Sequence, residues 1–223
     1  MKTAVYVADT DELKDPALYR FWYGRMPADR KEKIGRLKQE KDRYLSLGAG
    51  ILLQHALEKQ GLAGKDAAEA GPGGKPYLTH APRVRFNLAH SGHYAVCVLS
   101  DAEAGCDVEE LRDGLLKVAK RFFSKEEQDY IFSRHGAARK RRAFFRVWTL
   151  KESYVKALGD GLKKPFGSFS AVPGKNGSRP ENCAFFEYKK IPGYALSVCL
   201  AKENARRPAF ETVSLKEIAR RQK

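Results

Sequence analysis

Asp107 and Glu109, with Trp148-Thr-Leu-Lys151-Glu152-Ser153-Tyr-Val-Lys156 further along the chain, are the residues whose types and spacing could do chemistry. Residues 95–99 and 104–108 have strand character, and alternate residues of a strand share one face. Two carboxylates therefore leave a strand end on the same side. Glu152 and Lys156, four apart, share a helix face, with Trp148 one turn earlier on the same ridge. Three hard oxygen donors and flanking lysines are what holds a magnesium ion against a phosphate ester. The bland reading is an acidic strand end plus a surface ion pair worth roughly 0.3–0.5 kcal/mol, which explains Glu152 and Lys156 but neither Lys151 nor Ser153.

Two further stretches could meet an anion. Asn87-Leu-Ala-His90-Ser91-Gly92 reads as a polar turn feeding the strand at 94–99 and could present donors to a phosphate. Lys75, between Gly74 and Pro76, sits on a stiff turn and could fix a second anionic group. A histidine in a turn is otherwise a surface residue, and neither stretch is specific alone.

The elements that must place these residues are legible in outline. Residues 3–8 alternate toward a strand. A helix follows from Pro27, where Asp29 and Glu32 have capping-box spacing and Ile34 and Leu37 form a sparse stripe. Leu45, Ala49, Leu52, Leu53, Ala56 and Leu57 mark one buried face of a core helix. Gly71-Pro-Gly-Gly74 breaks the chain. Residues 115–123 read as a short helix with basic residues on its wet side, and Ser124 with Glu127 caps another. Residues 139–158 form a long helix burying Val147, Tyr154 and Leu158, stopped by Gly159-Asp-Gly161. Residues 185–188 and 194–200 read as strands around the Ile191-Pro-Gly193 turn. Each half ends in an apolar strand after helical material, so the expected class is α+β, in two pseudo-symmetric lobes, 1–101 and 102–223.

Composition narrows the partners. The 223 residues are 43% hydrophobic, enough for a packed globule, and 42 Lys plus Arg against 27 Asp plus Glu leave a net charge of +15. Such a surface attracts a polyanion or an acidic protein. The basic groups, Arg139 to Arg142 among them, are short and several alternate with acids, as on solvated helix faces. Cys97, Cys106, Cys183 and Cys199 show no Cys-x-x-Cys pair and read as buried thiols. The N-terminal residues lack an apolar run of signal-peptide length, and no stretch approaches the roughly 18 apolar residues of a membrane span. The expectation is a cytoplasmic protein that does not engage a membrane.

Taken in order, Gly74-Lys75-Pro76, Phe86-Asn87-Leu-Ala-His90-Ser91-Gly92, Gly105-Cys-Asp107-Val-Glu109, Arg121-Phe-Phe-Ser124-Lys-Glu126 and Trp148-Thr-Leu-Lys151-Glu152-Ser153-Tyr-Val-Lys156 resemble the 4'-phosphopantetheinyl transferases of the surfactin-synthetase-activating type. The resemblance implies two lobes with coenzyme A in the cleft between them, and transfer of its phosphopantetheine arm to a serine of an apo acyl, peptidyl or aryl carrier protein. It implies that Asp107, Glu109 and Glu152 ligate Mg2+ and that Glu152 takes the serine proton, directly or through water. Lys156 steadies the pyrophosphate, and His90 adds a contact in the Asn87–Ser91 stretch. Lys75 and Arg43 lie near the 3'-phosphate and adenosine, with Arg30, Lys33 and Lys151 as further contacts to coenzyme A. Relatives often carry serine where this chain has Ala89, which removes a hydroxyl there. Carrier proteins are small acidic helical domains, so the basic surplus would steer them while Leu115, Leu116, Val118 and Phe122 dock, unless these are ordinary core. A monomer acting on carriers, with no nucleic acid involved, is the resulting expectation. A basic nucleic-acid-binding protein and a nonenzymatic coenzyme A or nucleotide binder are the alternatives at this point.

Overall fold

The alternating N-terminal residues form β1 (Ala4–Asp9), the third strand of a four-stranded sheet. The computed structural model describes the whole chain except residues 160–163, 175–176, 203–204 and 223. These residues build an α+β fold of two compact units: Met1–Ala70, Pro76–Asp101 and Pro208–Lys223 in the first, Gly71–Lys75 and Ala102–Arg207 in the second.

In the first unit, α1 (Pro16–Arg25) starts where the Asp15 carboxylate accepts from the amides of Ala17 and Leu18. Helix α2 (Ala28–Gly35) has Pro27 as its N-cap and no side-chain cap bond, so the expected Asp29–Glu32 box does not form: Asp29 already lies inside the first turn. Helix α3 (Glu40–Glu58) goes further than one buried face, since every residue from Leu45 to Leu53 is buried. Strands β2 (Ala68–Ala70) and β3 (Pro76–Leu78) make a small antiparallel ribbon.

The expected polar turn at 87–92 is instead strand β4 (Arg85–Ser91), paired from Arg85↔Ser100 to Ser91↔Tyr94 with β5 (Tyr94–Ser100). The turn shrinks to Gly92 and His93, and Gly92 takes the positive φ of 61° that such a tight hairpin needs. Residues 208–223, which the sequence reading grouped with the second half, join this unit. Strand β9 (Ala209–Thr212) pairs parallel with β1, and α7 (Leu215–Arg221) receives the Trp22 indole N–H on Leu215 O at 3.1 Å.

The second unit is a three-stranded antiparallel sheet, β6 (Ala104–Glu110), β8 (Tyr194–Leu200) and β7 (Ala184–Tyr188), crossed by the long helix α6 (Ala137–Leu158). Before it come α4 (Leu116–Phe122) and α5 (Lys125–Phe132), the latter opened by the expected capping box of Ser124 and Glu127. Phe144, Phe145 and Val147 of α6 are buried in one cluster with Phe123 and Ile131. Leu158, expected in the core, is 39% exposed because the helix ends there at Gly159; residues 160 and 161 of the expected stop lie outside the described residues. All four cysteines are unbridged; Cys97, Cys106 and Cys199 are buried and Cys183 is half-buried.

Candidate active site

The spacing Gly105-x-Asp107-x-Glu109 acquires a physical reason where β6 meets α6. A Cβ on Gly105 would stand 2.1 Å from Ser153 O and 2.4 Å from Ala157 N, so only glycine lets strand and helix backbones touch. Alternation then turns Asp107 and Glu109 toward the same helix. Asp107 is buried and its Oδ1 accepts from Lys156 Nζ at 2.6 Å, while its Oδ2 is buried with no hydrogen-bond partner among the described residues. Ser153, beside Glu152, is occupied within the helix, donating to Leu150 O at 2.8 Å.

Electrostatics couple the three acids to one another. Burial pushes the Asp107 carboxyl up to about 7; Lys156 opposes this, and Glu109 and Glu152 reinforce it. Glu152 is also raised, chiefly by burial, with Lys156 opposing and Glu109 adding. For Lys156 burial works against the charge, but Asp107 more than offsets it and the ammonium is held more tightly protonated than usual. Every pair among the three carboxylates thus feels repulsion, and one buried anionic oxygen lacks a partner. Three carboxylates that feel one another in this way suit a divalent cation, which would satisfy Asp107 Oδ2 and relieve the repulsion. Among the described residues the donor atoms that do gather within 4.8 Å of one another are those of Asp9, Asp11 and His93 in the first unit, and those of Asp107, Glu109 and Glu152 stand further apart. There the acids have local work: Asp9 caps Asp11 N, and Asp11 pairs with Lys14 at 2.8 Å.

Residues 103–199 match the 4'-phosphopantetheinyl transferase superfamily. A 4'-phosphopantetheinyl transferase of Bacillus subtilis is 32% identical over 185 residues, covering 78% of this chain and 81% of that protein. The chain belongs to this transferase family. The B. subtilis transferase ffp, 31% identical over 184 residues, covers 78% of this chain and 82% of its own. The B. subtilis strain 168 transferase Sfp is 29% identical over 182 residues, with 78% and 81% covered. The protein is accordingly an enzyme of the transferase class.

Elsewhere in the transferase, the expected contacts divide. Lys151 is engaged internally: its side chain is 0% exposed, and its Nζ donates to Glu127 Oε1 and to Phe169 O, both at 2.6 Å. Burial lowers its pKa against the pull of Glu127. Glu127 also accepts from Ser124 N and Ala171 N, so its carboxylate ties α5, α6 and the 169–171 segment together. Its part in this network was missed from sequence, although Lys151 falls between Val147 and Tyr154 on the buried stripe of α6, a signal that the position is internal.

Lys75 belongs to the second unit, with Nζ bonded to Glu103, Ala104 O and Ala157 O. In the first unit His90 is exposed, Ser91 half-buried and Asn87 buried, all on β4. Arg43 donates Nε to Leu37 O at 2.8 Å. Arg30 is half-buried with its stem near Gly50, its pKa lowered by burial, and Lys33 is exposed on α2. Of the four expected docking residues, Leu115, Leu116 and Val118 pack partly on the α6 cluster and Phe122 is 45% exposed. Among the described residues no helix is long and apolar enough to cross a membrane.

Proposed function

We propose that the protein moves the 4'-phosphopantetheine arm of coenzyme A onto a serine hydroxyl of an apo acyl, peptidyl or aryl carrier protein, releasing adenosine 3',5'-bisphosphate. The observation that carries this reading is the buried, unpartnered Asp107 Oδ2 in the field of Glu109 and Glu152, beside the Lys156 ammonium. Asp107, Glu109 and Glu152 would hold Mg2+, which when bound neutralises charge on the pyrophosphate. Lys156 places a fixed positive charge at the same carboxylates and steadies the anionic leaving group. Glu152 would take the serine proton directly or through a water, a contribution on the order of 10²–10⁴-fold. As the serine Oγ–phosphorus bond forms, its proton passes toward Glu152, while the pyrophosphate P–O bond breaks and the nucleotide leaves with the electron pair.

From the first unit we carry forward His90 and Ser91 as anion donors and Arg43 as a contact to the 3'-phosphate. The +15 surplus suits an acidic carrier, with Phe122 as an exposed apolar contact. We take the protein to work as a single chain in the cytoplasm, where its thiols stay reduced. The test is incubation with coenzyme A, Mg2+ and a panel of apo carriers, followed by intact-mass measurement. One phosphopantetheine added to at least one carrier is expected. No mass gain on any carrier class with the protein folded would overturn the reading.

A further inference from the structure

Lys75 stands in the sequence like a phosphate ligand, yet its ammonium is fully used. Nζ donates to Glu103 Oε2 at 2.7 Å, Ala104 O at 3.0 Å and Ala157 O at 2.8 Å, which matches the three protons an ammonium carries. Only 14% of the side chain is exposed, and its stem lies along Gly159, where an added Cβ would be 3.2 Å from Lys75 Cδ. The acceptors are not arbitrary. Ala104 and Ala157 flank the Gly105 crossing of β6 and α6, and Ala157 O is one of the last carbonyls of α6, where a cation is favoured. That crossing is contact of bare backbones, because Gly105 offers no side chain to interlock with the helix. Besides the Lys156–Asp107 bond, Lys75 provides a second polar tie across it, through Ala104 O and Ala157 O. Two residues past Gly105 stands Asp107, and next to Ala157 stands Lys156.

We propose that Lys75 is a positioning residue and not a phosphate ligand: it clamps the start of β6 to the end of α6 and so sets the spacing of Asp107 and Glu109 against Glu152 and Lys156. The role rests on the phosphopantetheinyl-transfer reading for its effect on turnover, though the clamp itself is a property of the second unit. Loss of the clamp lets the acids drift from one another, weakening any divalent site they form. A phosphate contact would act differently, being felt only by a donor that carries the phosphate.

The experiment uses the full chain as wild type, Lys75→Met and Glu103→Ala. Mn2+ affinity is read by calorimetry, and transfer kinetics are measured with coenzyme A and with 3'-dephospho-coenzyme A. Lys75→Met is expected to weaken Mn2+ binding about tenfold or more. It should lower kcat on the order of ten- to a hundredfold, with equal losses for both donors. Glu103→Ala should do the same more mildly; Glu103 repels phosphate, so its loss cannot be the loss of a phosphate contact. A KM rise confined to coenzyme A, tighter coenzyme A binding in Glu103→Ala, or unchanged or absent Mn2+ binding across the set would each overturn the proposal. Should Lys75→Met fail to fold, the Glu103→Ala result decides alone. If the wild type transfers nothing while its Mn2+ site weakens in the variants, the clamp stands and the transfer reading falls.

Discussion

Helix α6 carries two lysine–carboxylate pairs, Lys151–Glu127 and Lys156–Asp107, and they are built to opposite ends. The first is sealed, with both side chains 0% exposed and Glu127 accepting from Lys151, Ser124 N and Ala171 N. Each charge has partners enough to offset its desolvation, so the pair holds three segments together. In the second, Lys156 is 30% exposed and Asp107 keeps an oxygen that no described residue satisfies. One buried carboxylate is thus fully satisfied and the other is left short. The incomplete pair is the one that ligand chemistry would complete.

Breaking each pair should separate the two roles, and the largest effect is catalytic. Glu152→Gln, next to the incomplete pair, is expected to lower transfer by roughly 10²–10⁴-fold in single-turnover mass measurements while urea unfolding stays near wild type. Turnover equal to wild type would remove Glu152 from the reaction. Lys151→Met is expected to cost about 3–5 kcal/mol in urea unfolding, since it strands a buried carboxylate. A loss no larger than that of an ordinary surface substitution would mean the sealed pair is not structural.

Smaller, and specific to the open pair, is a pH effect on the metal-free protein. Asp107 has a folded pKa of about 7, above its unfolded value, so the native state holds the proton more tightly. The penalty is absent at low pH and accrues as pH rises from about 4 to about 7, on the order of 4 kcal/mol in all. The wild type should therefore lose stability across that window relative to Asp107→Asn, and added Mg2+ should stabilise it more at pH 8 than at pH 5. Parallel stability profiles for the two proteins would contradict the burial of an unsatisfied carboxylate. The smallest effect is at the surface: Phe122→Ser should leave stability within about 0.5 kcal/mol and raise KM for the carrier severalfold. An unchanged carrier KM would move the docking surface elsewhere.

What could be read from sequence follows the range of the interaction. Asp107 and Glu109 share a face because strand alternation is local, and Ser124 with Glu127 caps α5 because a capping box spans four residues. Lys151 and Lys75 both have internal acceptors that sequence does not show, for a common reason. A lysine beside a motif acid, or on a glycine turn, looks free for a ligand until distant acceptors such as Glu127, Phe169 O or Ala157 O are known. The parallel pairing of β9 with β1 was likewise silent, since nothing near residue 209 names its partner. At 87–92 the polar residues suggested a turn, yet ladder pairing with β5 sets the conformation and leaves Gly92 and His93 alone to turn.

Asp107, Glu109 and Glu152 are proposed to form one cation-dependent transfer site. It is tested most directly by intact-mass kinetics of an apo carrier that the wild type modifies, with coenzyme A, across a magnesium titration and with excess chelator, for wild type and Asp107→Asn. Wild-type phosphopantetheinylation is expected to rise with magnesium and stop on chelation, with no transfer by Asp107→Asn at any concentration. Transfer that persists in chelator, or an Asp107→Asn protein that keeps wild-type rates, would contradict it.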